Sequence, residues 1–240
     1  MRRVFLLRAY GDFVIAIQAL GASDTIVASL HLKPLYEALI SRKCIEPKPN
    51  LSFVDFGISG SQLNVFTNKK LFSLETIKQV SKIAKYIREN PGYDDYLEQS
   101  ARLRLLSTLT GHSFKYLVKT GDLVYKAFGL APHFPAEKGD QWLILPDARL
   151  KKREIPQEVI LKIQGKVARF GVDYASFGEL IDCILHADFI YAADSLPVHL
   201  AYLLKKPHAI LFPDGGKLDF FTPDALAQKA YYTFSEFQHV

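Results

Sequence analysis

Short apolar runs alternate along the chain with segments whose apolar residues recur at helical spacing. Residues 3 to 7, "RVFLL", form a β-branched and aromatic run that predicts a strand, and "FVIAIQAL" after it predicts a buried helix. "DTIVASL" and "LSFVDFG" predict two more strands, with a helix at "LKPLYEALI" between them. Successive strand and helix units predict a parallel sheet with helices on both faces.

A longer helix is predicted over residues 73–90, because apolar residues recur there at helical spacing until "NPG" ends the pattern. Three lysines share its outer face: Lys78, Lys82 and Lys85. A short strand is predicted near "YLEQS", and "LVYKAFG" predicts a helix that runs into a linker rich in proline, glycine and charge. We place the domain boundary near Pro135, which gives domains of residues 1–135 and 136–240.

The alternation restarts after this boundary. Strands are predicted at "WLILPDA", "KVARFGV", "FIYAA" and "HAILF", and helices at "PQEVILKIQ", "SFGELIDCILHA" and "LPVHLAYLL". The second half is therefore another small parallel α/β sheet. The predicted fold class is α/β, with two Rossmann-like domains.

The composition is that of a folded globular protein, with 240 residues of which 49% are hydrophobic and 23% charged. Cys44 and Cys183 are too few for a disulfide framework, so we expect both to be reduced. The chain begins like a signal peptide, but Arg8 and Asp12 interrupt the apolar run and no small-residue cleavage site follows. We expect a cytoplasmic protein that does not span the membrane.

The net charge of +5 is unevenly distributed. Residues 1–135 contain 18 Lys and Arg against 11 Asp and Glu, whereas residues 136–240 contain 12 against 14. The first half therefore favours an anionic partner. Charge alone leaves three partners open: a nucleic acid, a phosphorylated glycolipid and an anionic membrane surface.

Several common sites are missing from the sequence. No Gly-x-Gly-x-x-Gly follows the first strand, and neither Gly165-Lys166 nor Gly216-Lys217 lies in a phosphate-loop pattern, which argues against a dehydrogenase and an NTPase. The seven histidines show no His-x-x-x-His spacing and no Asp-x-Asp occurs, so we expect no metal site.

The first candidate site is Gly11-Asp12, at the end of the first strand. Ligands of open α/β sheets bind outside the carboxyl ends of the strands, so we expect Asp12 to face a cleft, where a carboxylate can act as a base. The alternative is that Asp12 caps the helix that begins there.

The second candidate is the segment after "FIYAA", where Asp194 and Ser195 precede a helix with Pro197 in its first turn. Backbone amides at that helix start suit a phosphate, and His199 lies on the same face as Ser195. The alternative is a capped helix with His199 packed against the sheet.

The third candidate is "PDARLKKREIP", residues 146–156, whose basic residues follow a strand of the second domain. They are Arg149, Lys151, Lys152 and Arg153. At the carboxyl end of a strand they could neutralise a diphosphate without a metal, but such a run is also typical of a solvated loop. The case is weaker for five more basic residues, because charged residues in such positions more often form a solvated surface: Lys78, Lys82, Lys85, Arg102 and Arg104.

In this order the segments resemble the lipopolysaccharide heptosyltransferases, glycosyltransferase family nine, which have the two-domain GT-B fold. "VFLLRAYGDFVIAIQAL" is similar to the family's opening strand, Gly-Asp and apolar helix, and "DSLPVHLA" resembles its Asp-Ser-Gly-Pro-x-His-Leu-Ala signature. "PHAILFPDGGKLDFFTP" is similar to its closing strand and loop. The resemblance is good over residues 2–20 and 177–223 and fair over 96–117 and 142–156.

The resemblance implies an inverting, metal-independent transfer of a sugar from a nucleotide diphosphate donor to a bacterial lipopolysaccharide or other cell-surface glycan, without a cofactor. Asp12 is then the general base. The donor site is Asp194, His199, the amides of Ser195 and Leu196, and Lys152 with Arg153, which stands where the family has its phosphate-binding lysine. An acidic glycolipid acceptor would suit Gly11, Lys78, Lys82, Arg102 and Arg104. Peripheral contact with the inner face of the cytoplasmic membrane would follow, and nucleic acid would not be a partner.

Three features depart from the family pattern. Leu196 and Asp147 each stand where the family has glycine, and an acidic side chain at 147 repels a diphosphate unless it turns away. The chain is also shorter than the family's chains, and compared with them its second domain is expected to lack one strand-helix unit around residues 160–175. A non-catalytic sugar-nucleotide or glycan-binding relative therefore stays open as an alternative.

Overall fold

The computed structural model describes residues 3–7, 9–58, 74–90, 95–96, 115–116, 124–133 and 141–239. The chain folds as two compact units, the first from residues 1–37 and 46–121 and the second from residues 38–45 and 122–240. Pro135, the predicted boundary, lies outside the described residues.

The first half contains a parallel sheet with the strand order β3-β2-β1-β4-β5. Its strands are β1 (Arg3–Leu6), β2 (Thr25–Ser29), β3 (Leu51–Val54), β4 (Asp95–Tyr96) and β5 (Lys115–Tyr116). Its helices are α1 (Tyr10–Ala19), α2 (Lys33–Ser41) and α3 (Leu74–Glu89). β2 and β3 lie on one side of β1, and β4 and β5 lie on its other side. The topological switch point is therefore at β1, just before α1.

The core of the first unit forms where α3 packs on this sheet. Its members are Phe5, Leu7, Val27, Phe56, Ile58, Val80, Ile83, Ala84 and Ile87. The helical spacing therefore predicted the buried stripe of α3 correctly, except that Ile77 is 45% exposed. Lys78, Lys82 and Lys85 lie on the exposed face, as the pattern indicated.

The second half contains another parallel sheet, with the strand order β10-β9-β8-β6-β7. Its strands are β6 (Trp142–Leu145), β7 (Lys166–Val167), β8 (Phe189–Ala193), β9 (His208–Phe212) and β10 (Tyr231–Thr233). Its helices are α4 (Val124–Ala127), α5 (Gln157–Ile160), α6 (Phe177–His186), α7 (Leu196–Leu203) and α8 (Pro223–Gln228). The strand order reverses between β6 and β8, which makes this pair the switch point.

Two predicted elements of the second half are shorter in the structure. The strand predicted at 166–172 is confined to β7, because a turn closed by hydrogen bonds from the Arg169 and Asp173 amides ends it and Gly171 has a positive φ of 78°. The helix predicted at 156–164 is the single turn α5. Two further elements, β10 and α8, were not predicted from the sequence pattern.

Within the part of the chain that the structure describes, no helix is both long and apolar enough to cross a bilayer.

Candidate functional site

The start of α7 lies at the switch point of the second sheet. β8 is largely buried between β6 and β9 and ends at Ala193, so that Asp194 and Ser195 turn directly into the helix. Ser195 occupies the N-cap position but makes no capping hydrogen bond with its side chain. Its hydroxyl instead donates to the carbonyl oxygen of Asp147 at 3.1 Å. The first-turn amides of α7 therefore receive no cap from Ser195.

Arg153 belongs to the loop after β6, in a 3₁₀ turn over Lys151–Arg153. Its Nη1 atom lies 3.1 Å from Asp194 Oδ2 and donates to the Asp194 carbonyl oxygen at 3.4 Å. Burial raises the pKa of the Asp194 carboxyl, and the charge of Arg153 lowers it. Because the Arg153 side chain is 41% exposed, it brings positive charge to the start of α7 while remaining accessible to a ligand.

The acidic side chain of Asp147 is paired with groups at the same edge of the second sheet. Its Oδ1 accepts from Arg169 Nη1 at 2.9 Å, and its Oδ2 accepts from the Phe170 amide at 2.8 Å. The carboxylate is thus directed to the residues that follow β7, and only the carbonyl oxygen faces Ser195. We call Asp147, Arg153, Asp194 and Ser195 the switch-point cluster.

His199 is buried in the second turn of α7, with 5% of its surface exposed. Its Nδ1 atom lies 2.8 Å from the hydroxyl of Tyr125 on α4. Burial, followed by the charges of His208 and Arg153, lowers the pKa of His199 to about 3. The imidazole is therefore neutral at physiological pH, and its role in donor binding stays a prediction.

The other two predicted donor-site residues lie beside the switch-point cluster. Leu196 is the first residue of α7 and is half-buried, and Lys152 lies next to Arg153 with an exposed side chain. A leucine offers a phosphate only its backbone N–H group, whereas the lysine offers a mobile charge.

Asp12 is the third residue of α1 rather than its cap. The helix starts at Tyr10 and its N-cap is Ala9, whose carbonyl oxygen accepts from the Phe13 amide at 3.0 Å. The capping alternative for Asp12 was therefore wrong, because the helix begins three residues earlier than an Asp12 cap would require. Asp12 and Gly11 are half-buried in the first turn, where the helix dipole favours an anion.

Two of the predicted acceptor residues belong to helix α3 of the first unit. Lys78 and Lys82 lie on the solvent face of α3, and Lys82 Nζ is 3.9 Å from Asp55 Oδ2. Arg102 and Arg104 lie outside the described residues. The structure thus assembles the switch-point cluster in the second unit, and the acceptor residues stay a prediction.

Two residues of this region, Arg169 and Tyr125, were not among those that the sequence pattern indicated. Arg169 follows β7, which lies beside β6, and the carboxyl ends of parallel strands lie at one edge of a sheet. Its position in the sequence could therefore have indicated that it lies at the same edge as the residues after β6. Tyr125 carried no such signal, because 74 residues separate it from His199. Among the described residues, no three His, Cys, Asp or Glu side chains are grouped as a metal site requires.

Comparison with known proteins yields no matching family model and no matching curated protein. Solved structures do match. E. coli heptosyltransferase WaaC with ADP-2-deoxy-2-fluoro heptose aligns with a TM-score of 0.52 and 12% sequence identity, over 96% of this chain and 92% of that one. A glycosyl transferase family 9 structure from Veillonella parvula aligns with the same score and identity, over 97% and 85%. These likenesses confirm the predicted fold class, two parallel α/β sheets in a GT-B-like chain with a short second domain.

Proposed function

We propose that this chain is a glycosyltransferase that moves a sugar from a nucleotide diphosphate donor to lipopolysaccharide or another cell-surface glycan of a bacterium. The observation that carries the proposal is the switch-point cluster, where a helix start not capped by Ser195 lies beside Arg153. Open α/β sheets bind ligands at this place. The likeness in fold to solved glycosyltransferases gives further support.

The donor diphosphate would bind at the start of α7. The N–H groups of Ser195 and Leu196 and the helix dipole attract an anion, and Arg153 can donate two parallel hydrogen bonds to phosphate oxygens. Asp194 holds the guanidinium in place, and Lys152 adds a second charge. Fixed donors of this kind stabilise a departing diphosphate, so the proposed reaction uses neither a metal nor a cofactor.

Asp12 would act as the general base. The acceptor hydroxyl transfers its proton to the Asp12 carboxylate while its oxygen forms a bond to the anomeric carbon. The bond from that carbon to the diphosphate oxygen breaks, and the diphosphate leaves with the electron pair. Attack opposite the leaving group inverts the anomeric centre. Asp12 lies in the first turn of α1, where the helix dipole favours a negative charge.

The acceptor in this proposal is an anionic glycolipid or polysaccharide held by the basic first half. Gly11 would lie beside the reacting hydroxyl, and Lys78, Lys82, Arg102 and Arg104 would attract phosphate groups. A protein acting on a lipid-linked acceptor in the cytoplasm would contact the inner face of the cytoplasmic membrane. Nucleic acid is not a partner in this proposal.

ADP-heptose is the first donor to test, because one neighbour was solved with ADP-2-deoxy-2-fluoro heptose. We suggest thermal unfolding of the full chain with ADP-, GDP- and UDP-sugars and with pyrophosphate. A bound donor at a hundred times its Kd stabilises the folded chain by about 2.7 kcal/mol, which is easily measured. Stabilisation by pyrophosphate and one sugar nucleotide is expected, and no shift with any of them would contradict the proposal.

A second candidate is a non-catalytic relative that binds a sugar nucleotide or a glycan. The two-residue β7 and the single-turn α5 favour it, since both lie in the half proposed to hold the donor. A binding protein would be stabilised by the same ligands but would transfer no sugar.

A further inference from the structure

The hydroxyl of Tyr125 and the imidazole of His199 form a buried hydrogen bond of 2.8 Å. Tyr125 lies on α4 with 2% of its surface exposed, and His199 lies on α7 with 5% exposed. Their ring centroids are 5.9 Å apart. A contact this deeply buried fixes the orientation of the imidazole, because neither partner can turn to water instead.

The position of His199 on α7 relates it to the switch-point cluster. It follows Ser195 by four residues, and helical side chains lean toward the amino end of their helix. This geometry directs the imidazole of His199 toward the helix start. Burial is the main cause of the low pKa of His199, and the charge of Arg153 contributes to it.

A neutral imidazole carries one N–H group, so its tautomer decides which nitrogen donates and which accepts. A phenol hydroxyl is a stronger acid than a neutral imidazole N–H, and an imidazole nitrogen is a stronger base than a phenol oxygen. These properties favour the arrangement in which the Tyr125 hydroxyl donates and Nδ1 accepts. In that arrangement the hydrogen of the neutral imidazole lies on Nε2.

We propose that Tyr125 is a positioning residue of the donor site, which donates to Nδ1 of His199 and so presents Nε2–H as an uncharged donor to the diphosphate at the start of α7. This inference rests on the proposed function. An uncharged donor can be held ready in a buried site, where an imidazolium would be costly.

The tautomer can be read directly by nitrogen NMR of the full chain with labelled histidine. The wild type should show His199 protonated on Nε2, and Tyr125→Phe should lose the hydrogen-bonded signal of Nδ1. Tyr202→Phe is the matched control, because its hydroxyl donates to the Ala131 carbonyl at 2.6 Å rather than to His199. A wild-type His199 protonated on Nδ1 overturns the inference without any variant.

Titration calorimetry with pyrophosphate and with ADP tests the consequence for binding. Tyr125→Phe should weaken both by about three- to tenfold, whereas Tyr202→Phe should bind like the wild type. In a His199→Gln background Tyr125→Phe should add no further loss, since a glutamine amide donates whatever its neighbour does. Unchanged binding in Tyr125→Phe overturns this inference alone, and a wild type that binds neither ligand overturns the proposed function with it.

Discussion

Arg153 Nη1 lies 3.1 Å from the Asp194 carboxylate at the start of α7. The pair joins the loop after β6 to the loop after β8, across the switch point of the second sheet. A charged side chain that is fixed by one partner and still partly exposed can accept a second, anionic partner without being reordered. The proposed donor site depends on this property.

Replacing Arg153 by Ala should weaken the binding of pyrophosphate by about ten- to a hundredfold, because a charge-assisted hydrogen bond of this kind contributes about 1.5–3 kcal/mol. Lys151→Ala removes a charge from the same 3₁₀ turn and serves as the control. Titration calorimetry measures both, and an equal loss in the two variants would show that only net charge matters.

Arg169→Ala should also weaken pyrophosphate binding, by about three- to tenfold, although Arg169 need not touch the ligand. The change leaves the Asp147 carboxylate, now 2.9 Å from Arg169, as an uncompensated negative charge beside the site. Adding Asp147→Asn should restore most of the affinity, because it removes that charge. A double variant that binds no better than Arg169→Ala would contradict this explanation.

Phe170 is 66% exposed on the turn after β7, and its backbone amide donates to Asp147 of the switch-point cluster. Its ring contacts that of Tyr174. We expect it to stack on the base of the donor. Phe170→Ala should weaken ADP binding by about tenfold and leave pyrophosphate binding unchanged, because base stacking on an aromatic ring contributes about 1–3 kcal/mol. Val172→Ala, at an exposed position of the same turn, is the control. Parallel losses for ADP and pyrophosphate would exclude stacking.

Stability should fall as the pH drops below about 6.5, because burial lowers the pKa of His199 to about 3 and of His208 to about 4. At pH values between these lowered pKa values and the ordinary histidine pKa, the unfolded chain binds protons that the folded chain does not. Each of the two histidines therefore lowers the free energy of unfolding by about 1.4 kcal/mol for each pH unit of acidification in that range. His208→Gln should reduce this slope by that amount, because a glutamine side chain does not titrate. Urea unfolding at several pH values measures the slope of the free energy of unfolding against pH. Identical slopes in wild type and His208→Gln would contradict the lowered pKa of His208.

The sequence pattern predicted both parallel sheets and the segments at their carboxyl edges, because hydrophobic periodicity is local and alternating strands and helices imply parallel strands. It misplaced the start of α1, since Asp12 is a strong capping residue while the true cap, Ala9, has no side-chain oxygen. The pairing of Tyr125 with His199 and the neutralisation of Asp147 by Arg169 depend on tertiary packing. Local periodicity indicated at most that Arg169 and Asp147 lie at the same edge of the sheet, and it contained no signal for Tyr125.

The most direct test of the account is sugar transfer by the wild type and by Asp12→Asn, measured with the sugar nucleotide that stabilises the chain and a phosphorylated glycolipid acceptor. The proposed chemistry predicts turnover in the wild type. It also predicts a loss of at least about a hundredfold in kcat for Asp12→Asn, with donor affinity unchanged, because an amide cannot take the hydroxyl proton. A variant that transfers sugar at the wild-type rate would contradict the central claim.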